Sequence, residues 1–248
     1  MMNHAQRRRS RIPLVLAAAL LGAVAAHGSA VAAMTVRQVI ALLRAGHPAD
    51  LAGQDLSRLD LAELDFSGAN LAVADLDRAI IIRADFSNAD LSGARMFLPA
   101  ASTVLGENPA AEAPQFRQAN LTGAHLLAKL GNGDWTGANL TGAHFELGRT
   151  QFLAALRSDL SGCRMAGANL EGADLSGVRL AFADLRGAKL ARANLQGADL
   201  AGARLDGADL TGAALARADV HGASLRGVIG LDQASGLSSV RNLDLAER

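Results

Sequence analysis

Large apolar residues recur every five positions along most of the chain. The series runs from Leu51 to Met96, resumes at Phe116, and is unbroken from Leu160 to Leu225. A small residue, most often Ala, lies two positions before each large one, and Asp or Asn usually lies between them. A period of five matches neither a helix, with ~3.6 residues per turn, nor a strand, with a period of ~2. The pattern instead predicts a chain that turns a corner in every unit.

Four such units return the chain to its starting azimuth, so we predict coils that stack at the strand spacing of ~4.8 Å. The large residue and the small residue point to the axis, and together they set the interior width. Gly at the second position after the large residue eases the tight corner. The predicted core positions of the most regular block are Leu160, Leu170, Leu175, Leu180, Leu185, Leu190, Leu195, Leu200, Leu205 and Leu210.

Individual units resemble a known repeat. Ala168-Asn-Leu-Glu-Gly and Ala198-Asp-Leu-Ala-Gly are similar to the A(D/N)LxG unit of the pentapeptide-repeat proteins, and the resemblance covers about residues 51–228. It implies an all-β solenoid, a right-handed quadrilateral β-helix. It implies no chemistry, because the motif residues of that family are structural.

Other segments depart from the repeat. Residues 34–48 are predicted to form a short N-terminal capping helix, because Thr35 and Gly46 flank an amphipathic run. Within the predicted β-helix, 49–228, we expect an irregular loop at 97–115, a register slip near 126–130, and weak repeats at 147–157. The tail, 229–248, is predicted to cover the other end, with a short helix around Ser238 to Leu245.

The first 33 residues have the pattern of a signal peptide. Four arginines precede an apolar run over residues 12–26, and small residues follow, which predicts cleavage after Ala32 or Ala33. The run is shorter than the ~20 residues that span a bilayer. We therefore expect a periplasmic or secreted protein with no stable membrane anchor after cleavage, and the Sec and twin-arginine routes both stay open.

Charge and cysteine content exclude several classes of function. The chain has 24 basic and 24 acidic residues, and the four basic residues of the first 33 leave 20 against 24, a net charge of −4. This balance offers no basic footprint for nucleic acid. The single cysteine, Cys163, excludes an internal disulfide framework and occupies a small inward position, where a buried thiol is expected.

Candidate chemistry is sparse. Asp or Asn recurs before nearly every inward residue, so we interpret these side chains as turn residues that bond local backbone amides rather than as catalytic acids. His125 and His144 lie in duplicated strings that the slip brings one coil apart. Two imidazoles at that spacing can share a metal ion, but zinc sites use three or four ligands and no third is evident. We therefore predict no enzyme activity, no cofactor and no metal site; His125 and His144 are the candidate ligands should a metal ion bind.

The surface suggests a structural role. At twenty-residue spacing, charges alternate in three columns and predict ion-pair ladders between coils: Asp159, Arg179 and Asp199; Arg164, Asp184 and Arg204; and Arg186, Asp206 and Arg226. We predict a scaffold that binds protein outside the cytoplasm, with a more acidic N-terminal end. The alternative is a DNA mimic that binds topoisomerase, as some members of the resembled family do; the export signal and the modest charge oppose it.

Overall fold

The computed structural model describes residues 34–46, 48–102, 109–145 and 157–248. These ranges contain the helix α1 (Val36–Ala45), the strands β1 (Arg95–Phe97) and β2 (His125–Leu127), and three 3₁₀ helices at Leu231–Gln233, Leu237–Ser239 and Leu243–Leu245. β1 and β2 pair in parallel, with Met96 opposite Leu126. Elsewhere the wall consists of single parallel bridges, which recur every five residues in the regular blocks.

The bridges join successive coils of a β-helix. In the regular blocks the partners are twenty residues apart, as in Asp159 with Arg179 and Arg179 with Asp199. Two backbone hydrogen bonds accompany each contact: the Leu180 N–H donates to the Asp199 carbonyl at 2.7 Å, and the Asp199 N–H donates to the Val178 carbonyl at 3.0 Å. Each coil therefore contains four units, which confirms the repeat β-helix expected from the five-residue period.

Each unit closes with a tight turn. The N–H of the small inward residue donates to the carbonyl of the preceding large residue, as from Ala173 to Leu170 at 3.1 Å. The residue at the third turn position has a positive φ, 64° at Gly172, as a type II turn requires. Val73 and Phe182 hold the same conformation, although a β-branched or bulky side chain disfavours it.

The interior is filled by the two inward residues of each unit. All ten predicted core leucines between residues 160 and 210 are at most 1% exposed, and the alanines at the small inward positions of this block are equally buried. One interior column is aromatic: the rings of Phe66 and Phe86 stack at 5.0 Å, those of Phe86 and Phe116 at 5.2 Å, and those of Phe116 and Trp135 at 4.1 Å between centroids. Apolar contact along the axis therefore holds the coils together.

The irregular segment is shorter than the predicted loop 97–115. Phe97 belongs to β1, Ala100 bridges Ile80, and the wall resumes where Gln115 bridges Asp85. Pro99 and Pro114 occupy small inward positions and are buried. The N–H of that position closes the turn and takes no part in bonds between coils, so proline is tolerated there. Residues 103–108 of the predicted loop lie outside the described ranges.

The spacing between coils departs from twenty residues three times in the middle of the chain. Asp85 first pairs with Gln115, 30 positions later. Three later bridges join residues only 19 positions apart, and they start at Gln115, Asn120 and His125, the last of which pairs with His144. The count falls by one because the unit near 126–130 is one residue short. Lys129 then pairs with Asp159, 30 positions later. The predicted weak repeats at 147–157 fall in that longer connection, of which residues 146–156 lie outside the described ranges.

Helix α1 precedes the first described coil. Thr35 and Gln38 form a reciprocal capping box, in which the Thr35 N–H donates to Gln38 Oε1 at 2.8 Å. Val39 is fully buried, and the Met34 N–H donates to the Asp55 carbonyl at 3.1 Å. The helix therefore lies against the solenoid.

The tail differs from the predicted short helix around Ser238 to Leu245. Ile229, Ser235, Arg241 and Glu247, six residues apart, bridge the coil below, and the three 3₁₀ helices lie between them. Left-handed residues precede each 3₁₀ helix, with φ values of 68° at Gly230, 78° at Gly236 and 58° at Asn242. The extra residue in each unit is absorbed by the 3₁₀ turn, so the tail continues the solenoid as a coil of six-residue units.

Candidate functional site

The recurrent carboxylates serve the turns. An oxygen of the bridged Asp or Asn accepts the N–H two residues later, as at 2.8 Å from Ser87 to Asp85 and 3.2 Å from Glu171 to Asn169. This arrangement is an Asx turn, and it confirms the predicted role of these residues. Asn side chains also link coils: Asn70 Nδ2 donates to Asp50 Oδ1 at 3.0 Å. These oxygens are therefore committed to local structure.

The charged columns lie where the twenty-residue spacing placed them. Arg179 bridges Asp159 on one side and Asp199 on the other, and Asp184 is likewise flanked by Arg164 and Arg204. The third column also runs through adjacent coils, since the Gly187 and Gly207 N–H groups donate to the carbonyls of Asp206 and Arg226. Opposite charges therefore alternate along each column.

Few of these neighbours form close ion pairs. Within the three columns, all of which lie in the described ranges, only Arg179 and Asp159 approach within 4 Å, at 3.7 Å. Arg186 instead pairs with Asp184 of its own coil at 2.6 Å, and Arg226 pairs with Glu247 at 2.8 Å. Long arginine side chains reach several carboxylates, so the columns provide alternating charge rather than continuous ladders.

Asp134 is a buried ionic centre that the sequence did not single out. Its side chain is 4% exposed, and its carboxylate binds Arg117 Nε and, at 3.3 Å, Arg164. The Thr136 hydroxyl donates to Asp134 Oδ1 at 2.6 Å. Burial by itself raises the pKa of Asp134, but the bonds from Thr136 and the two arginines outweigh it, so the pKa lies below its ordinary range.

Asp134 was missed at the level of the sequence because the spacing between coils differs from twenty residues on both sides of it. Its neighbours in adjacent coils are Gln115 and Arg164, at 19 and 30 residues, so a twenty-residue count does not bring them together. The resulting cluster is structural, because both arginine side chains remain more than half exposed and only the carboxylate is enclosed.

Cys163 is buried, as predicted. Its Sγ donates to the Leu130 carbonyl at 3.1 Å, and burial raises the pKa of the thiol to about 12. A thiol in this state is inert at neutral pH, because the thiolate is the reactive form.

His125 and His144 lie side by side on the surface. They are bridged neighbours in adjacent coils, and their ring centroids are 5.0 Å apart with planes inclined by 13°. In the described ranges no three His, Cys, Asp or Glu side chains converge as a metal site. The pair therefore offers two nitrogen ligands and no enclosed cage.

The predicted cleavage site at Ala32 and Ala33 lies outside the described residues, as does the whole of 1–33. From Met34 onward, the described helices include none with the length and apolar character needed to cross a membrane.

The fold and the turn chemistry define a solenoid protein made of five-residue units. The model of the family described as pentapeptide repeats matches the chain in eight copies, at residues 49–81, 60–96, 157–192 and 193–229. The chain belongs to the pentapeptide-repeat family. The part of the chain from 97 to 156, with its inserted residues and its register slip, falls between the matches.

Several solved structures are similar to the chain. HetL, a pentapeptide repeat protein involved in heterocyst differentiation regulation from the cyanobacterium Nostoc, is 29% identical over 86% of this chain and 94% of its own, with a TM-score of 0.38. QnrB1, a plasmid-mediated fluoroquinolone resistance protein, is 16% identical over 80% and 88%, with a TM-score of 0.45. A pentapeptide repeat protein of the Arabidopsis thaliana thylakoid lumen is 26% identical over 42% and 67%, with a TM-score of 0.31. No curated protein sequence matches the chain.

Proposed function

We propose that the protein is an exported, non-catalytic scaffold that presents its regular solenoid wall to protein partners. The observation that carries this proposal is the use of its carboxylates. The bridged Asp and Asn oxygens accept backbone N–H groups two residues later, as at Asp85 and Asp199, and the inward side chains fill the interior. Groups that serve the same turn in every coil are suited to building a surface, whereas a catalytic site needs a unique constellation.

The architecture we propose is a right-handed, four-sided β-helix with α1 as its N-terminal lid. The side chains of the first coil favour this assignment. Leu59 and Leu64 replace alanine at small inward positions, and they pack against the core together with Leu42 and Leu43 of α1. Leucine in place of alanine suits a coil that is covered by a helix rather than by another coil. A lid also shields the open backbone edge that would otherwise promote aggregation.

Export is the part of the proposal that rests on the sequence of residues 1–33. We expect fractionation and N-terminal sequencing to find a mature chain that starts near Ala33 or Met34. A full-length cytoplasmic protein that binds topoisomerase would instead favour the DNA-mimic alternative. The alternating charges of the C-terminal block oppose that alternative, since a mimic needs rows of unneutralised acid.

The N-terminal block is the end that we propose for a basic partner. Residues 49–102 contain nine acidic and four basic residues, whereas 157–228 contain eight and nine. Like charges face each other between its coils, where Asp55 bridges Asp75 and Asp65 bridges Asp85. A basic surface would relieve this repulsion between neighbouring carboxylates.

Capture of partners from the exported fraction tests the proposal. The mature chain is compared with Asp65→Asn/Asp85→Asn and with the matched control Asp159→Asn/Asp199→Asn, since Asn keeps the turn at these positions. We expect the first variant to lose the partner and the control to retain it. Equal capture by both variants would contradict the assignment of the acidic N-terminal end as the binding surface, and it would leave the scaffold proposal itself intact. If no exported protein is enriched over an unrelated bait, the scaffold proposal is wrong.

A further inference from the structure

The paired imidazoles of His125 and His144 are held in place by the wall. The His144 N–H donates to the Ala124 carbonyl at 2.9 Å, and the Leu126 N–H donates to the His144 carbonyl at 2.7 Å. Both histidines are exposed, and their rings stack at 5.0 Å. The backbone therefore fixes the separation of the two side chains, while their rings remain open to solvent.

The register slip creates this pair. His144 follows His125 by 19 residues, and regular twenty-residue coils would place position 145, the buried Phe145, on this column. The one-residue deletion near 126–130 shifts the following coil, so that the two histidines become neighbours on the outer surface.

The groups on either side of the pair leave the imidazoles accessible. Arg95 is the neighbour of His125 in the preceding coil. It forms ion pairs with Asp77 at 2.6 Å and with Asp75 at 3.6 Å, so its positive charge is compensated. Above His144, the carboxylate of Asp174 accepts Asn194 Nδ2 at 3.0 Å and the Ser176 N–H at 3.1 Å. Asp174 therefore contributes negative charge one coil away and is not needed as a ligand.

We propose that His125 and His144 form a two-nitrogen site for a late first-row divalent metal ion, with water completing the coordination. Imidazole suits copper, nickel and zinc, and affinity for such sites is highest for Cu²⁺. Metal–nitrogen bonds of ~2.0 to 2.1 Å require the two nitrogens to approach within ~4 Å. The stacked rings present their faces to each other, so both imidazoles rotate out of the stack to point one nitrogen each at the ion, and exposure leaves these side chains room to do so.

Two ligands on a rigid wall bind more tightly than two independent histidines. Once one imidazole holds the ion, the second is presented at a high effective concentration, and such linkage raises affinity by ~10²-fold or more. The site is thus a surface chelate, distinct from the closed structural zinc sites that use four protein ligands.

Titration of the untagged mature chain with CuCl₂ in a weakly coordinating buffer tests the proposal. We expect one tight ion per chain, and His125→Asn and His144→Asn should each weaken its binding by ~10²-fold. His221→Asn and His47→Asn are the matched controls and should leave the affinity unchanged. Because both paired side chains are exposed, the variants should also keep the melting temperature of the wild type.

Electron paramagnetic resonance of the bound Cu²⁺ supplies a second, independent measurement. Hyperfine coupling to two imidazole nitrogens is expected in the wild type, and coupling to one in either single variant. Equal affinity in the paired-histidine variants and the wild type, or loss of the tight site in a control variant, would overturn the assignment. A one-nitrogen spectrum in the wild type would do the same.

Discussion

Asp134→Asn is the substitution that tests the buried ionic centre most directly. Asn keeps the shape of the side chain and the oxygen that accepts the Thr136 N–H, and Asn stands at the equivalent position in native units such as that of Asn139. The change therefore removes the negative charge with little effect on the turn. What is lost is the attraction to Arg117 and Arg164.

The size of the effect follows from the environment of the three groups. A hydrogen bond to a charged group contributes ~1.5 to 3 kcal/mol when it is enclosed, but an exposed ion pair contributes only ~0 to 1 kcal/mol. The carboxylate is enclosed, whereas the two arginine side chains are 58% and 56% exposed. We therefore expect Asp134→Asn to lower the free energy of unfolding by ~1 to 2 kcal/mol at pH 7.

The pH dependence gives a second check with a defined sign. The pKa of Asp134 is lowered in the folded chain, so its stabilisation is fully present above the unfolded value of ~3.9. It is lost as the pH falls through the folded pKa, where the acid becomes neutral like Asn. The difference between wild type and variant should therefore shrink in acid.

Urea unfolding of both proteins at pH 7 and at about pH 2.5 measures these differences. Asp159→Asn is the matched control, because Asp159 occupies the same position in its unit but is 21% exposed and has one arginine at 3.7 Å. Its loss at pH 7 should be at most ~0.5 kcal/mol. Equal losses in the two variants, or a loss at Asp134 that persists unchanged in acid, would refute the assignment of a buried ionic centre.

Two further predictions concern the interior. Leu195→Ala should leave a cavity and lower the free energy of unfolding by ~2 to 5 kcal/mol, and Ala193→Leu should overpack the narrow position by ~1 to 3 kcal/mol; if both variants melt like the wild type, the inward assignment is wrong. Cys163 should not react with a thiol reagent at pH 8 in the folded chain, because burial raises its pKa to about 12, and it should react fully in denaturant. Rapid labelling of the native chain would show that this thiol is not enclosed.

The sequence by itself determined the repeat unit and the direction of its side chains. A large and a small apolar residue return at fixed positions in every unit, and only inward placement of both fits a chain that turns after five residues. Leu195 and Ala193 could therefore be assigned to the core without coordinates. The turn role of the aspartates followed in the same way, because a local bond to the backbone depends on sequence neighbours alone.

The tertiary structure decided which residues of different coils meet. One short unit and two longer connections change the count between coils, so contacts such as Asp134 with Arg164 and the stack of Phe116 on Trp135 depend on how the chain is threaded. Segment 97–115 was predicted to be an irregular loop, yet the prolines at 99 and 114 are buried in the wall because their position needs no N–H between coils.

The tail and the surface ion pairs were likewise determined in part by the sequence and in part by the tertiary structure. A six-residue period is visible in Gly230, Gly236 and Asn242, each followed by Leu, but only the bridges show that these units form another coil. Alternating charge along the columns could be read from the sequence, whereas the partner of each arginine could not. A flexible side chain at the surface selects among several carboxylates by small differences in distance and solvation, and those differences exist only once the coils are stacked.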